Sequence, residues 1–274
     1  MRRWTQTLAA MVGIVALAAA AAPGAATADA LDDIRKRGKL IVGVKADQPP
    51  YGFLGSDGQI AGLEPDLARD VAAVLGVQLE LVPVVSSNRM QFLDQGRIDL
   101  VIATMADTDE RRDMVQIVDP SYYASGTNIL TKGTFTKWED LAGVPVCGVQ
   151  GTVYNRKLAE QYGAEIVAFK GAGEALTALK QSRCAAFVYD NTFIISRLTE
   201  PEWLGWLMPL PTVDHLPWGV AVKKGEQAFA VFMSGMVVRW HVTGRILDLE
   251  TKYNLEPTPF ARKMHETFLA INPA

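Results

Sequence analysis

The alternation that decides the fold is clearest in residues 63–84, which read LEPDLARDVAAVLGVQLELVPV. From Pro65 to Leu75 the apolar side chains recur every three or four positions, which predicts a helix with one buried face. Pro65 suits a first helical turn, and Gly76 can adopt the left-handed conformation that ends a helix. Leu79–Val84 then predicts an extended strand. A helix that leads directly into a strand indicates a βαβ unit.

The same alternation continues on both sides of this stretch and predicts an α/β fold with mostly parallel sheets. Further strands are predicted at Leu40–Val44, Asp99–Met105, Val144–Val149, Glu165–Phe169, Ala185–Tyr189 and Trp218–Lys223. Further helices are predicted at Asn88–Gln95, Val153–Tyr162, Glu174–Lys180, Thr192–Leu198 and Glu226–Val242. Ser87 is the expected cap of the first of these helices. The strands and helices fall into two sets, which indicates two α/β lobes.

Composition excludes several classes of protein. The chain has 274 residues, 49% of them hydrophobic and 21% charged, so it can bury a large core. Its net charge is -3 without a run of like charges, which argues against a nucleic-acid partner. The three histidines are scattered, and no Cys-x-x-Cys pair is present, so no metal site and no cofactor are expected.

The first thirty residues have the pattern of a secretory signal peptide. Arg2 and Arg3 precede an apolar stretch from Leu8 to Ala22, and small residues up to Ala30 then offer a cleavage site. The apolar stretch is rich in alanine and shorter than the roughly 20 apolar residues that a membrane span needs. We therefore expect residues 1–30 to be a cleaved signal peptide and the mature protein to reside in the periplasm.

Export also changes the interpretation of Cys147 and Cys184, because an oxidising compartment permits disulfides. Cys147 lies in the predicted strand Val144–Val149, and Cys184 directly precedes the predicted strand Ala185–Tyr189. If those strands are neighbours, the Cα atoms can approach to the roughly 4.4–6.8 Å that a bridge requires. Two buried free thiols are the alternative that the sequence leaves open.

The chain resembles the periplasmic solute-binding proteins that deliver polar amino acids to ABC transporters (bacterial extracellular solute-binding protein family 3). The resemblance covers essentially all of the mature chain. It is carried by eight segments in the order and spacing of the family, namely residues 38–44 (GKLIVGV), 49–53 (PPYGF), 62–68 (GLEPDLA), 96–101 (GRIDLV), 108–111 (TDER), 150–152 (QGT), 189–190 (YD) and 218–225 (WGVAVKKG).

The resemblance implies a type II periplasmic-binding-protein fold, in which two lobes are joined by two hinge strands around a ligand cleft. Lobe 1 would comprise residues 31–121 and 219–274, lobe 2 residues 127–213, and the hinge strands residues 122–126 and 214–218. A hinge of so few residues can absorb the change of backbone angles on closure. The resemblance also implies a monomer whose partners are an amino acid and a membrane permease, although a receptor in place of the permease stays open.

Arg111 is the expected site for the carboxylate of an amino-acid ligand. A planar guanidinium can hold a carboxylate through two hydrogen bonds, and Thr108 is placed to cap the helix that carries Arg111. Arg111 also matches the carboxylate-binding arginine of the family. The neighbouring Arg112 serves as a control, and a solvated helix charge is the alternative role for Arg111 itself.

Asp190 is the expected partner of the ligand ammonium. It follows the predicted strand Ala185–Tyr189, at the strand end where ligands bind in open parallel sheets, and it matches the ammonium-binding aspartate of the family. The alternative is that its side chain caps the next helix. Gly151 and Thr152 lie at a turn between strand and helix, where main-chain N–H groups would meet the ligand carboxylate; a simple tight turn is the alternative there.

Three departures from the family pattern bear on specificity. Gln48 and Ser86 replace frequent aromatic walls, and Ala106 stands where Thr or Ser is usual, so a polar ligand with main-chain contacts at Thr104 and Ala106 is expected. Tyr51 remains as an expected aromatic wall of the binding site. Arg89 and Asp47 are expected to contact the ligand side chain. A surface arginine and a turn aspartate are the alternative roles of the last two, and Arg89 favours an acidic ligand.

One enzymatic alternative remains, because the same fold hosts cyclohexadienyl dehydratases, which eliminate water from a small cyclic acid. Such an enzyme needs a general acid and a general base in the cleft. The sequence offers only generic carboxylates for these roles, such as Asp47 and Glu64. Binding without catalysis is therefore the expected activity.

Overall fold

The computed structural model describes residues 30–271. Apart from Ala30, the predicted signal peptide lies outside the described residues. The described part of the chain forms helices, strands and two short 3-10 turns, Trp138–Leu141 and Pro201–Trp203.

The strands are β1 (Lys39–Val44), β2 (Asp47–Gln48), β3 (Gly52–Leu54), β4 (Ile60–Ala61), β5 (Gln78–Pro83), β6 (Leu100–Val101), β7 (Gln116–Thr131), β8 (Pro145–Val149), β9 (Glu165–Phe169), β10 (Ala186–Asp190) and β11 (Val213–Val222). The helices are α1 (Ala30–Arg37), α2 (Leu63–Leu75), α3 (Arg89–Asp94), α4 (Asp109–Met114), α5 (Tyr154–Tyr162), α6 (Ala172–Lys180), α7 (Asn191–Leu198), α8 (Gln227–Val242), α9 (Arg245–Lys252) and α10 (Pro259–Ile271). Helices and strands alternate as the sequence predicts.

Eight strands form one mixed sheet in the order β5-β1-β6-β11-β7-β10-β8-β9. The outer strands on each side pair in parallel, β1 with β5 and β6, and β8 with β9 and β10. The central pairings of β7 and β11 are antiparallel. We call the side with β5, β1 and β6 lobe 1 and the side with β10, β8 and β9 lobe 2. This arrangement confirms the predicted two-lobed α/β fold.

The long strands β7 and β11 pass from one lobe to the other. The two predicted hinge segments lie within them and pair with each other, Ser125 opposite Leu216 and Ala124 opposite Pro217. Beside them, Tyr51, Tyr123 and Trp218 pack edge-on or tilted with ring centroids 5.1–5.5 Å apart. The lobe boundaries themselves stay a prediction.

Local chemistry sets the ends of the elements that position the cleft. Gly76 ends α2 in the left-handed conformation with φ 68°, as predicted. Thr108 caps α4, since its side chain accepts a hydrogen bond from the Arg111 N–H. The prediction for Ser87 is wrong: Asn88 precedes α3, and no side chain caps that helix. The Asn88 carboxamide instead accepts a hydrogen bond from the Val85 N–H at 2.9 Å.

The predicted strand Asp99–Met105 is much shorter than expected. Only Leu100 and Val101 belong to β6, because Thr104 adopts a left-handed conformation with φ 44°. Its N–H donates to Glu64 Oε1 at 2.6 Å rather than to a neighbouring strand. The chain therefore leaves the sheet here and lines the cleft.

The predicted disulfide is confirmed. Cys147 lies in β8 and Cys184 just before β10, two strands that pair in parallel. The Cα atoms are 5.5 Å apart, within the range that a bridge requires. Cys184 is six residues before Asp190, so the bridge joins the strands at the end away from the cleft.

Candidate functional site

The carboxyl ends of the parallel strands from both lobes meet at one cleft. In open α/β sheets, ligands bind at this end of the strands. A narrow cavity lies there, with a volume of about 10 Å³, which is room for about one water molecule. Both lobes contribute its lining. The lining residues are Ser86, Arg89, Thr104, Ala106, Arg111, Thr152, Val153, Tyr154, Tyr189 and Asp190.

Arg111 reaches this cavity from α4 in lobe 1 and is only 6% exposed. Its Nη1 donates to the Ala106 carbonyl at 2.7 Å, and its Nη2 donates across the cleft to the Gly151 carbonyl at 3.1 Å. Burial lowers the pKa of the guanidinium, while Tyr154 and Asp190 act in the opposite direction. Since both acceptors are neutral, the positive charge of Arg111 is available to an anionic ligand group.

Asp190 ends β10 in lobe 2 and is 2% exposed. Its carboxylate accepts hydrogen bonds from the Tyr154 hydroxyl and, at 3.0 Å, from Gln48 Nε2 of lobe 1. Burial raises the pKa of this carboxyl to about 6, although both hydrogen bonds lower it. Asp190 precedes α7, but its side chain makes no capping hydrogen bond there. The carboxylate therefore faces the cleft instead of the helix.

Charged side chains also lie beneath the cavity in lobe 1. Glu64 Oε1 accepts hydrogen bonds from the Thr104 N–H and from the Tyr122 hydroxyl, and burial raises the pKa of Glu64 to about 7. Burial lowers the pKa of Lys45, whose Nζ lies 3.2 Å from Asp47 Oδ1.

Arg89 combines burial with a free hydrogen-bond donor. It is 1% exposed, and it donates from Nη1 to the Ala103 carbonyl. Burial lowers the pKa of Arg89 to about 9. Among the described residues Arg89 Nε has no hydrogen-bond partner, so a donor of this cation remains for a polar ligand group.

Three of the predicted site residues lie outside the cavity lining. Asp47 binds the N–H of Ala172 at 2.8 Å, and Tyr51 packs at the hinge with its hydroxyl 3.4 Å from that of Tyr123. Gly151 contributes its carbonyl to Arg111 and, with φ 78°, packs so closely on lobe 1 that a Cβ would lie 2.6 Å from Ser87 Cα. The other six, Arg89, Thr104, Ala106, Arg111, Thr152 and Asp190, line the cavity together.

Tyr154, Tyr189 and the polar contacts of Gln48 are absent from the predicted site. A local signal existed for Tyr154, which begins the helix that follows Gly151 and Thr152. The hydroxyl of Tyr189 donates to Gln48 Oε1 at 2.9 Å, a contact 141 residues apart in the chain. No local pattern indicates that pairing.

Within residues 30–271, no three histidine, cysteine, aspartate or glutamate side chains come together in a way that suits a metal ion. In the same range, no helix has the length and apolar character to span a bilayer.

Several known proteins are similar to this chain in sequence and in fold. The ABC transporter glutamine-binding protein of Bacillus subtilis is 31% identical over 232 residues, which cover 82% of this chain and 84% of that relative. The crystal structure of a mutant ArgBP from T. maritima has a TM-score of 0.76 at 28% identity and covers 82% of this chain and 98% of its own. An ancestral amino-acid-binding protein described as a precursor of cyclohexadienyl dehydratase has a TM-score of 0.73 at 29% identity. The match covers 82% of this chain and 99% of the ancestral protein.

The family is identified by a match that covers most of the chain. Residues 40–256 match the family described as bacterial extracellular solute-binding proteins, family 3. The matched range runs from β1 to the segment before α10 and so includes the strands and loops that form the cleft. This chain belongs to the family 3 bacterial extracellular solute-binding proteins.

Proposed function

We propose that the chain is the periplasmic binding component of an ABC transporter and that it binds a polar amino acid between its lobes. One observation carries the proposal: a buried cation, Arg111, and a buried carboxylate, Asp190, line the same cavity from opposite lobes. An amino acid presents a carboxylate and an ammonium at a fixed separation. The two charges of one ligand thus match the two charges of the cleft.

The remaining lining favours a polar side chain on the ligand. Ser86, Thr104, Thr152 and Tyr189 contribute hydroxyl groups, and Arg89 contributes a buried cation with a free donor. A ligand carboxylate beside Arg89 would gain a charge-assisted hydrogen bond, which is stronger than the neutral bond of an amide. We propose that acidic amino acids bind best and amides second. The similarity to a glutamine-binding protein supports this general class.

Binding would act by closing the lobes. A ligand that touches Arg111 in lobe 1 and Asp190 in lobe 2 binds the closed state more tightly than the open one, and it shifts the equilibrium only by that difference. The closed form would then dock on the membrane permease of the transporter, with the signal peptide directing the protein to the periplasm.

A thermal-shift screen of the mature protein against the free amino acids tests this function. A ligand at 100 times its dissociation constant adds about 2.7 kcal/mol of stability. For a chain of this size, we expect a rise in Tm of about 5–10 °C. Aspartate and glutamate should give the largest shifts, and the Arg111→Ala protein should shift by no more than about 1–2 °C at the same ligand concentration. If no amino acid raises the Tm of the native protein, the proposed function is wrong.

The second candidate is a dehydratase on the same fold, and Glu64 is the observation that favours it. This buried carboxyl has a pKa near 7, a value suited to a general acid at neutral pH, and it lies beneath Thr104 at the cavity. The similarity to the ancestral precursor of a dehydratase points the same way. Incubation with prephenate separates the two functions: turnover that Glu64→Gln abolishes would establish the enzyme.

A further inference from the structure

Three consecutive residues of lobe 1, Asp47, Gln48 and Pro49, bind lobe 2 at three separate points. Asp47 Oδ2 accepts the Ala172 N–H at 2.8 Å, at the first residue of α6. The Pro49 carbonyl accepts a hydrogen bond from Arg197 Nη2 of α7 at 3.2 Å. Between them the side chain of Gln48 enters the cleft. We call residues 47–49 the clasp.

The contact of Asp47 is shaped to its partner. The N-terminus of α6 favours a negative charge because the first main-chain N–H groups of a helix lack partners within it. Gly171 precedes that helix, and a Cβ at Gly171 would lie 2.5 Å from Asp47 Oδ2. A larger residue at this position would push the carboxylate away. This fit indicates that the contact between the lobes is a built feature.

Gln48 makes the central contact of the clasp and is completely buried. Its Nε2 donates to Asp190 Oδ2 at 3.0 Å. Its Oε1 accepts hydrogen bonds from Thr104 Oγ1 at 3.0 Å and from the Tyr189 hydroxyl at 2.9 Å. Both ends of the amide are satisfied, so its orientation is fixed by three groups from both lobes. The amide thus occupies one oxygen of the carboxylate to which the proposed function assigns the ligand ammonium.

The cavity beside this contact is too narrow for an amino acid. Its volume of about 10 Å³ is room for about one water molecule. An amino acid bound between Arg111 and Asp190 therefore requires the lobes to separate.

We propose that Gln48 competes with the ligand from within the protein. Its amide occupies Asp190, the partner of the ligand ammonium, and thereby holds the two lobes closed when no ligand is bound. This inference rests on the proposed function, since it assigns the ligand ammonium to Asp190. The protein then has a closed state that cannot bind, in equilibrium with an open state that can. The apparent dissociation constant rises in proportion as the competent fraction falls, so a self-closed population of about 90% weakens binding about tenfold.

The test compares Gln48→Met, which keeps the side-chain length but loses the amide, with the control Gln78→Met on an exposed strand position. Nitroxide labels at Ser56 in lobe 1 and Gln181 in lobe 2, both exposed, report the distance between the lobes by pulsed EPR. Without added ligand, we expect a short distance in the native and Gln78→Met proteins and a longer one in Gln48→Met. Gln48→Ala is the second variant if the methionine protein does not fold.

Calorimetry with the amino acid from the screen provides the second measurement. We expect Gln48→Met to bind about tenfold more tightly than the native protein, whereas the loss of a merely structural residue would weaken binding. Equal distances in the native and Gln48→Met proteins, or weaker binding by Gln48→Met, would overturn the proposal. The distances need no ligand, so they test the clasp even if the proposed amino-acid binding fails.

Discussion

Arg111 and Arg112 are neighbours on the same helix, but one faces the cleft and the other the surface. Arg111 is 6% exposed and donates to the neutral carbonyls of Ala106 and Gly151. The side chain of Arg112 is 36% exposed, and its Nη2 forms ion pairs with Asp107 at 2.6 Å and Asp119 at 2.7 Å. These two carboxylates raise the pKa of Arg112, whereas burial lowers that of Arg111.

The difference separates charges that are reserved for a ligand from charges that the protein has already neutralised. A buried charge is expensive unless it finds a partner of opposite sign, and within residues 30–271 no carboxylate is in direct contact with Arg111. A ligand carboxylate would supply it. The surface charge of Arg112 has two partners and water, so it gains little from a ligand. The following predictions rely on this contrast between cleft and surface.

The largest expected effect comes from Arg111→Ala. Truncating one partner of a buried charge pair costs about 3–5 kcal/mol, so the affinity for the amino acid should fall by roughly 100-fold or more. Isothermal titration calorimetry measures the dissociation constant directly. An affinity within a few-fold of the native value would remove Arg111 from the site.

The second prediction concerns acid. Asp190 must be ionised to hold an ammonium, and burial raises its pKa to about 6. As the pH falls below about 6, this carboxylate takes up a proton that the ligand must displace, so the affinity should drop by up to tenfold per pH unit. Titrations between pH 5 and 8 with a zwitterionic ligand measure the slope. In Asp190→Asn we expect weak binding without this slope; a native affinity that stays constant down to pH 5 would contradict the assignment.

Glu64 sets the third prediction, which concerns stability. The pKa of Glu64 is about 7 in the folded protein, whereas the ordinary value, which applies to the unfolded chain, is 4.5. The folded state therefore binds the proton more tightly than the unfolded state. This contribution to stability is complete below pH 4.5 and is lost as the pH rises to 7. The shift corresponds to about 3 kcal/mol. Urea denaturation at pH 5 and pH 8 should therefore show a smaller loss with rising pH in Glu64→Gln than in the native protein; equal losses would argue against the raised pKa.

Arg112→Ala should have the smallest effect. Exposed ion pairs contribute about 0–1 kcal/mol to stability, and no ligand contact is expected at this position. The free energy of unfolding should fall by less than about 1 kcal/mol. The dissociation constant should change by less than about twofold, a free-energy difference below about 0.5 kcal/mol. A loss of affinity equal to that of Arg111→Ala would abolish the distinction between the two arginines.

Sequence reasoning worked where the signal is local. Strand ends and glycine positions predict the fold, and the Thr108 cap and the strand before Asp190 are found as expected. The roles of Arg111 and Asp190 came from the resemblance to the family. The disulfide was one of two outcomes that the sequence left open, and the pairing of β8 with β10 brings the two cysteines together. These features depend on residues close together in the chain or on strands whose order the fold dictates.

The contacts across the cleft were not predictable in the same way. Gln48 meets Asp190 over 142 residues, and Asp47 meets Ala172 over 125, and neither pairing leaves a periodic trace in the sequence. Tyr51 was expected as a wall of the site but packs against Tyr123 and Trp218 at the hinge. Thr104 does not continue the predicted strand Asp99–Met105, because its N–H donates to Glu64, 40 residues away in the chain. Such contacts follow from the closed arrangement of the lobes, which no single segment encodes.

The most direct test of the account is a crystal structure of the mature protein with the amino acid selected by the thermal-shift screen. We predict one ligand between the lobes, with its carboxylate bound by both Nη atoms of Arg111 and its ammonium donating to Asp190. A ligand bound elsewhere, or one held in the cleft without contact to both side chains, would contradict it.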